Sequence, residues 1–104
     1  MGERQGVRTI CRLELATTEA GGLSQPLLLP TQSLVFMFGP EADSGLVAFI
    51  ERTEPSADAL TAGLAADATV VFLAKPDTYV TKGRRYWLWM GRTVGEAVVT
   101  GVLD

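Results

Sequence analysis

Histidine is absent from this chain of 104 residues. With it go the commonest general base, the commonest zinc ligand and every histidine-based nucleophile arrangement. Catalysis would have to rest on carboxylates or lysines, and these do not gather. Glu41 and Asp43 stand two apart in a turn-like stretch, where solvated carboxylates are the ordinary case. Lys75 and Lys82 flank residues 76–81 with no neighbouring pattern that would activate an amine, and they read as surface charges. The expectation is therefore a non-enzyme with no catalytic residue, metal or cofactor. The single cysteine, Cys11, has no partner for an internal disulfide and falls in a strand-like run as a plain buried thiol. Long apolar runs are missing too. The stretch 68–74 is far short of the ~20 residues that span a bilayer, and no charged-then-apolar leader opens the chain. A cytoplasmic protein without membrane contact is expected. The net charge of −3 argues against a general nucleic-acid binder, which needs positive charge to displace counterions from phosphates.

What is present is apolar material in strand-like order. Hydrophobic residues make up 47% of the chain, and the mean hydropathy is +0.21. The length suits one domain, 1–104, with residues 1–6 as an arm. Apolar side chains beyond the capacity of so small a core commonly end in an interface. In residues 7–15, Val7, Thr9, Cys11, Leu13 and Leu15 alternate with Arg8, Ile10, Arg12 and Glu14, the period of two of a half-buried strand. Residues 17–30 carry Gly21, Gly22, Pro26 and Pro30 and predict an exposed loop with an irregular return. Further strands are predicted over 34–38, 45–52, 68–74, 84–90 and 94–102, with 34–38 and 45–52 joined as a hairpin and the last two by a tight turn at Gly91 and Arg92. Residues 56–66 stay open between a short helical turn, favoured by alanine and by Leu60 and Leu64 four apart, and a short strand and loop, favoured by Gly63. Short strands at this spacing predict a sandwich or barrel.

Charge is unevenly spread. Lys75 to Arg92 holds five cations against Asp77, whereas Glu41 to Asp67 holds six carboxylates against Arg52. Lys82, Arg84, Arg85 and Arg92 accompany Tyr86, Trp87 and Trp89. Arginine beside exposed aromatics grips single-stranded nucleic acid, and the same types are enriched at protein contact centres, where the acidic middle of a second copy would offer a complement. Alternation puts Tyr86, Leu88 and Met90 on one face of their strand and Arg85, Trp87 and Trp89 on the other. Val35 and Met37 lie opposite Phe36 and Phe38 in the same way.

The last fourteen residues, GRTVGEAVVTGVLD from Gly91 to Asp104, resemble the ending of the C-terminal domain of elongation factor Tu, where a Gly-Arg-Thr-Val-Gly turn leads into the final strand. Gly21 and Gly22, the aromatic strand at Phe36 and Phe38, the turn into Gly45, the apolar strand ending at Pro76 and the Gly-basic-aromatic run from Gly83 to Leu88 follow the order of that family over residues 7–104. The resemblance implies an all-β, single six-stranded antiparallel β-barrel, free of a GTPase domain, since neither a Gly-x4-Gly-Lys-Ser/Thr loop nor an Asn-Lys-x-Asp motif occurs. No nucleotide is therefore expected. In that family the barrel packs on the GTPase domain, touches the T-stem of aminoacyl-tRNA and meets an exchange factor. Here Leu23 and Ser24 stand where the family has Arg-His, residues 30–33 replace its Gly-Tyr-Arg-Pro, and Ala62, Gly63 and Leu64 replace its Pro-Gly-Asp. The resemblance aligns Tyr86 and Leu88 with core-facing positions and sets Trp87 and Trp89 where the family has an outward small residue and an outward Arg. The first expectation is thus a non-catalytic binding module docking on a protein partner or a second copy through Trp87, Trp89, Arg85 and Met37. An RNA- or tRNA-binding accessory using Lys82, Arg84, Arg85, Gly91 and Arg92 is the second. Coverage of the tryptophans by residues 17–30 or by the arm is the alternative within one chain.

Overall fold

Alternating apolar residues bury one face of each strand, and in a chain this short the economical way to enclose that face is to curl one sheet on itself. The computed structural model, which describes residues 6–41, 43–73 and 80–103, shows this arrangement. Its elements are β1 (Val7–Leu15), β2 (Leu27–Leu28), β3 (Leu34–Met37), β4 (Gly45–Glu54), β5 (Ala59–Leu60), β6 (Ala65–Phe72), β7 (Arg85–Trp89) and β8 (Thr93–Val102). Six of them form a closed barrel in the order β1-β6-β4-β3-β7-β8, with β2 and β5 as a separate two-stranded sheet. All barrel neighbours are antiparallel, and β1 closes the cylinder by pairing with β6 on one side and β8 on the other. No helix occurs among the described residues, and none is long and apolar enough to cross a membrane.

The interior is filled by large and small side chains in alternation. Phe36, Phe72 and Tyr86 are fully buried and meet edge-on or tilted, with ring centroids 5.4 Å apart for Phe36 and Phe72 and 5.2 Å for Phe72 and Tyr86. Phe38 joins them at 6.2 Å from Tyr86. Ala48, Ala68 and Ala97 leave the room that these rings need. Toward the end of β1, Leu15 N–H donates to the Leu64 carbonyl and Ala16 N–H to that of Val94. The β2–β5 sheet brings Leu60 into the same core, and Leu23, Leu27, Leu29 and Leu64 pack with it.

Of the two alternatives left open for residues 56–66, the short strand and loop is the one present: they hold β5, a turn at Gly63 with φ 82° and the start of β6, three residues earlier than expected. One expectation needs correction. Residues 17–30 are not simply an exposed loop, since Gly22 and Leu23 are buried and Leu27–Leu28 is a strand. Leu27 pairs with Leu60, and this long-range pairing leaves no local period in the sequence to betray it. The other strands fall within two residues of expectation at the ends that are described. Residues 1–5 of the arm and Ala74 of the stretch 68–74 lie outside the described residues.

Burial also fixes the chemistry of two ionisable groups. Desolvation pushes the Cys11 thiol up from 9.0 to about 11, against a smaller opposing pull from its hydrogen bond with Thr9. Desolvation likewise raises the Tyr86 phenol from 10.0 to about 12, partly offset by Arg84. Both groups therefore stay neutral in the fold at pH values where the unfolded chain would ionise them, so their stabilising effect is complete below pH 9 and is lost as pH rises. Between pH 9 and 11 the Cys11 shift alone should lower stability by up to ~3 kcal/mol, visible as a falling urea midpoint that Cys11→Ala flattens. Replacing Phe36 by Ala should cost about 3–5 kcal/mol in the same assay, the range for emptying a buried aromatic site.

Candidate functional site

The register decides which side chains meet on the outside of the barrel. Val35 on β3 faces Trp89 on β7 and Val47 on β4, while Met37 faces Trp87. Two residues along β4, Phe49 faces Val71 on β6. Their strand neighbours Phe36, Ala48, Ile50, Val70, Tyr86 and Leu88 are buried, so these seven point outward. They form one apolar stripe across β7, β3, β4 and β6. Val47 is 44% exposed and Trp89 40%, and the other five are half-buried. Residues 17–30 are tied elsewhere, to β5 and to the β7–β8 turn, and do not hide Trp89.

Each end of the stripe is closed by an ion pair carrying both signs. Glu96, the register partner of Trp87, accepts from Arg85 Nη1 at 3.1 Å. At the β6 end, Arg8 is the register partner of Val71, and its Nη2 donates to Glu51 Oε2 at 3.3 Å and lies 3.2 Å from Oε1. The geometry at Oε1 is close enough for ion pairing but makes no hydrogen bond, and that atom is occluded. Such half-exposed pairs contribute at most about 1 kcal/mol each. Their effect here is to leave the border of the apolar stripe electrically balanced.

The residues expected to touch RNA do not form one patch. Lys82 is exposed at the turn before β7. The Arg84 guanidinium stacks 5.6 Å from the Phe38 ring centroid and 6.0 Å from that of Tyr86. Gly91, with φ 78°, and Arg92 lie past the opposite end of β7, roughly 20 Å from Arg84 at ~3.3 Å per residue. Arg92 is engaged in the fold: its Nε donates to the Gly21 carbonyl at 2.7 Å and its Nη2 to that of Gly22 at 2.8 Å. Lys75 lies outside the described residues, and among those that are described no three His, Cys, Asp or Glu side chains gather as a metal site.

Sequence reasoning found Trp87, Trp89, Val35, Met37 and Arg85 on the outside, but not the continuation through Val47, Phe49 and Val71. The signal was present for two of these, since alternation within 45–52 places Val47 and Phe49 on one side. What joins them to the tryptophans is β4 lying next to β3 and β3 next to β7, which is a matter of topology. Neither a scan against protein-family models nor a search of curated proteins finds a match to this chain.

The two arginines should separate cleanly on mutation. Arg92→Ala removes two charge-assisted bonds to loop carbonyls and should lower stability by about 1–2 kcal/mol, with faster amide exchange in residues 17–22. Arg85→Ala should stay within about 1 kcal/mol of wild type. Equal effects in denaturant titrations would show that Arg92 does not hold the loop.

Proposed function

We propose that this chain is a non-catalytic binding module: a barrel of the elongation factor Tu C-terminal type that presents its outer apolar stripe to another protein surface, either a second copy or a protein partner. The observation that carries this reading is the register-aligned row of Trp87, Trp89, Val35, Met37, Val47, Phe49 and Val71 on the outside of a barrel that already has a filled core. A stripe of this kind, rich in large apolar side chains and bordered by polar pairs, has the make-up of a protein contact. Arg85, held by Glu96 beside Trp87, belongs to the rim.

Protein contact is favoured over RNA contact by the same geometry. Of the cations that would grip phosphate, Arg92 is bound to carbonyls, Arg85 to a carboxylate and Arg84 lies over two rings. A backbone-tracking site needs them aligned and available.

Sedimentation of the wild type and of a Trp87→Thr, Trp89→Lys variant tests the reading. Threonine and lysine suit an outward strand position, so the variant should unfold within about 1 kcal/mol of wild type. Concentration-dependent association in the wild type and its loss in a folded variant would identify the partner as a second copy. A monomeric wild type with a variant of unchanged stability would assign the stripe to a different protein. A strongly destabilised variant would mean that the tryptophans serve the fold, and the docking reading would fall. Salt-sensitive binding of tRNA by the wild type, lost on Lys82→Ala, would replace it with the RNA reading.

A further inference from the structure

A second feature of the exterior lies on β1, β6 and β4, away from the tryptophans. At the bulge between Ile50 and Arg52, Glu51 is the extra residue, and the ladder resumes with Arg52 opposite Thr69 and Glu54 opposite Asp67. On the other side of β6, Ile10 faces Thr69 and Arg12 faces Asp67. The outer surface here is a groove of about 250 Å³ lined by Ile10, Arg52, Glu54, Asp67 and Thr69 among others.

Thr69 is the unusual member. Along β6 the outward positions Ala65 and Asp67 are exposed, yet Thr69, outward by the same alternation, is only 5% exposed. Among the described residues the four buried polar ones are all threonines, Thr9, Thr31, Thr53 and Thr69. Three of them donate to carbonyls: Thr9 to Val70 at 2.9 Å, Thr31 to Gln32 at 2.8 Å and Thr53 to Pro55 at 2.9 Å. The Thr69 hydroxyl has no hydrogen-bond partner among the described residues, and it is not sealed from solvent, so it opens into the groove. A recessed hydroxyl whose only partner is water can exchange that water for a ligand's peptide group.

The charges around it are arranged in opposition. Glu54 and Asp67 are directly opposite across the β4–β6 ladder, an unfavourable placement for like charges. Among the described residues Asp67 is offset only by Arg12 at 3.7 Å, and both side chains are about half exposed. Glu54 and Arg52 have no ion-pair partner among the described residues. Arg52 and Glu54 are two residues apart on one strand, a span of about 7 Å. An extended dipeptide carries its ammonium and carboxylate about the same distance apart.

We propose that this groove binds a short zwitterionic peptide of dipeptide size. Its ammonium sits between the Glu54 and Asp67 carboxylates, its carboxylate pairs with Arg52, its peptide group bonds the Thr69 hydroxyl, and Ile10 walls the apolar side. The proposal is independent of the tryptophan stripe and stands or falls without it.

The test is titration of the ¹⁵N-labelled full chain with glycylglycine, followed by amide shifts, alongside the N-acetylated and C-amidated forms of the same dipeptide. A ligand of this size should bind with Kd on the order of 1 mM, with shifts confined to residues near Ile10, Arg52–Glu54 and Asp67–Thr69. Blocking either terminus should weaken binding about tenfold or more, the effect of one lost charge-assisted contact. Thr69→Val and Arg52→Gln, checked for folding by circular dichroism, should do likewise. Absence of shifts at about 10 mM, well above the expected Kd, would overturn the proposal. So would equal binding of a blocked form, or binding that survives both substitutions.

Discussion

Everything on the surface of this barrel depends on a constraint set inside it. A strand has two faces and a period of two, and a closed sheet has no edge along which a strand can slide into a new partner. Once Phe36, Phe72 and Tyr86 occupy the interior, the register of β3, β6 and β7 is fixed by their packing. A slip of one residue would carry these rings into solvent and draw Met37, Val71 and Trp87 inward. The outward row is therefore determined with the same strictness as the core, although no packing inside the barrel requires its members to be large or apolar. That distinction separates side chains present for folding from side chains available for something else.

Much of this was legible in the sequence because it is local. The alternation in 7–15 and in 84–90 states which residues face in, and the structure places Cys11, Leu13, Tyr86 and Leu88 inside and Arg12 and Trp89 outside. The positive φ at Gly91 and the pairing of Trp89 with Thr93 belong to a turn that the dipeptide Gly91-Arg92 announces. What the sequence hid is non-local. Leu27 and Leu28 look like loop residues because their strand partners, Leu60 and Ala59, are some thirty positions away. Arg92 looks like a free surface cation because the carbonyls that hold it belong to Gly21 and Gly22, about seventy positions earlier. Thr69 looks like one more β-branched strand residue, and only the bulge opposite it makes its hydroxyl distinctive.

The two surfaces proposed for binding would ask different things of a ligand. The tryptophan stripe is broad and nearly featureless in charge, so selectivity there would come from shape and from area removed from water. The Thr69 groove is small and polar, and selectivity there would come from the placement of opposite charges over one hydroxyl. Both lie partly on β4, the stripe through Val47 and Phe49 and the groove through Arg52 and Glu54, with the bulge at Glu51 between them. Arg8 ties that bulge to β1 at the border of the stripe. A single strand thus carries parts of both proposed surfaces.

The closing role of β1 has a temporal side. Its two partners are β6, which ends at Phe72, and β8, which runs to Val102. A chain emerging from N- to C-terminus makes β1 before the other strands of the barrel, leaves both its sides open until β6 is complete at Phe72, and leaves one side open until β8 follows. Through the first of these intervals Cys11, Leu13 and Leu15 lie on a strand with two open sides. Loop closure over such separations is slow, and unpaired strands of this kind are the species most open to pairing with a neighbouring chain. The exposed charges of Arg8, Arg12 and Glu14 on the same strand are the residues positioned to discourage that pairing.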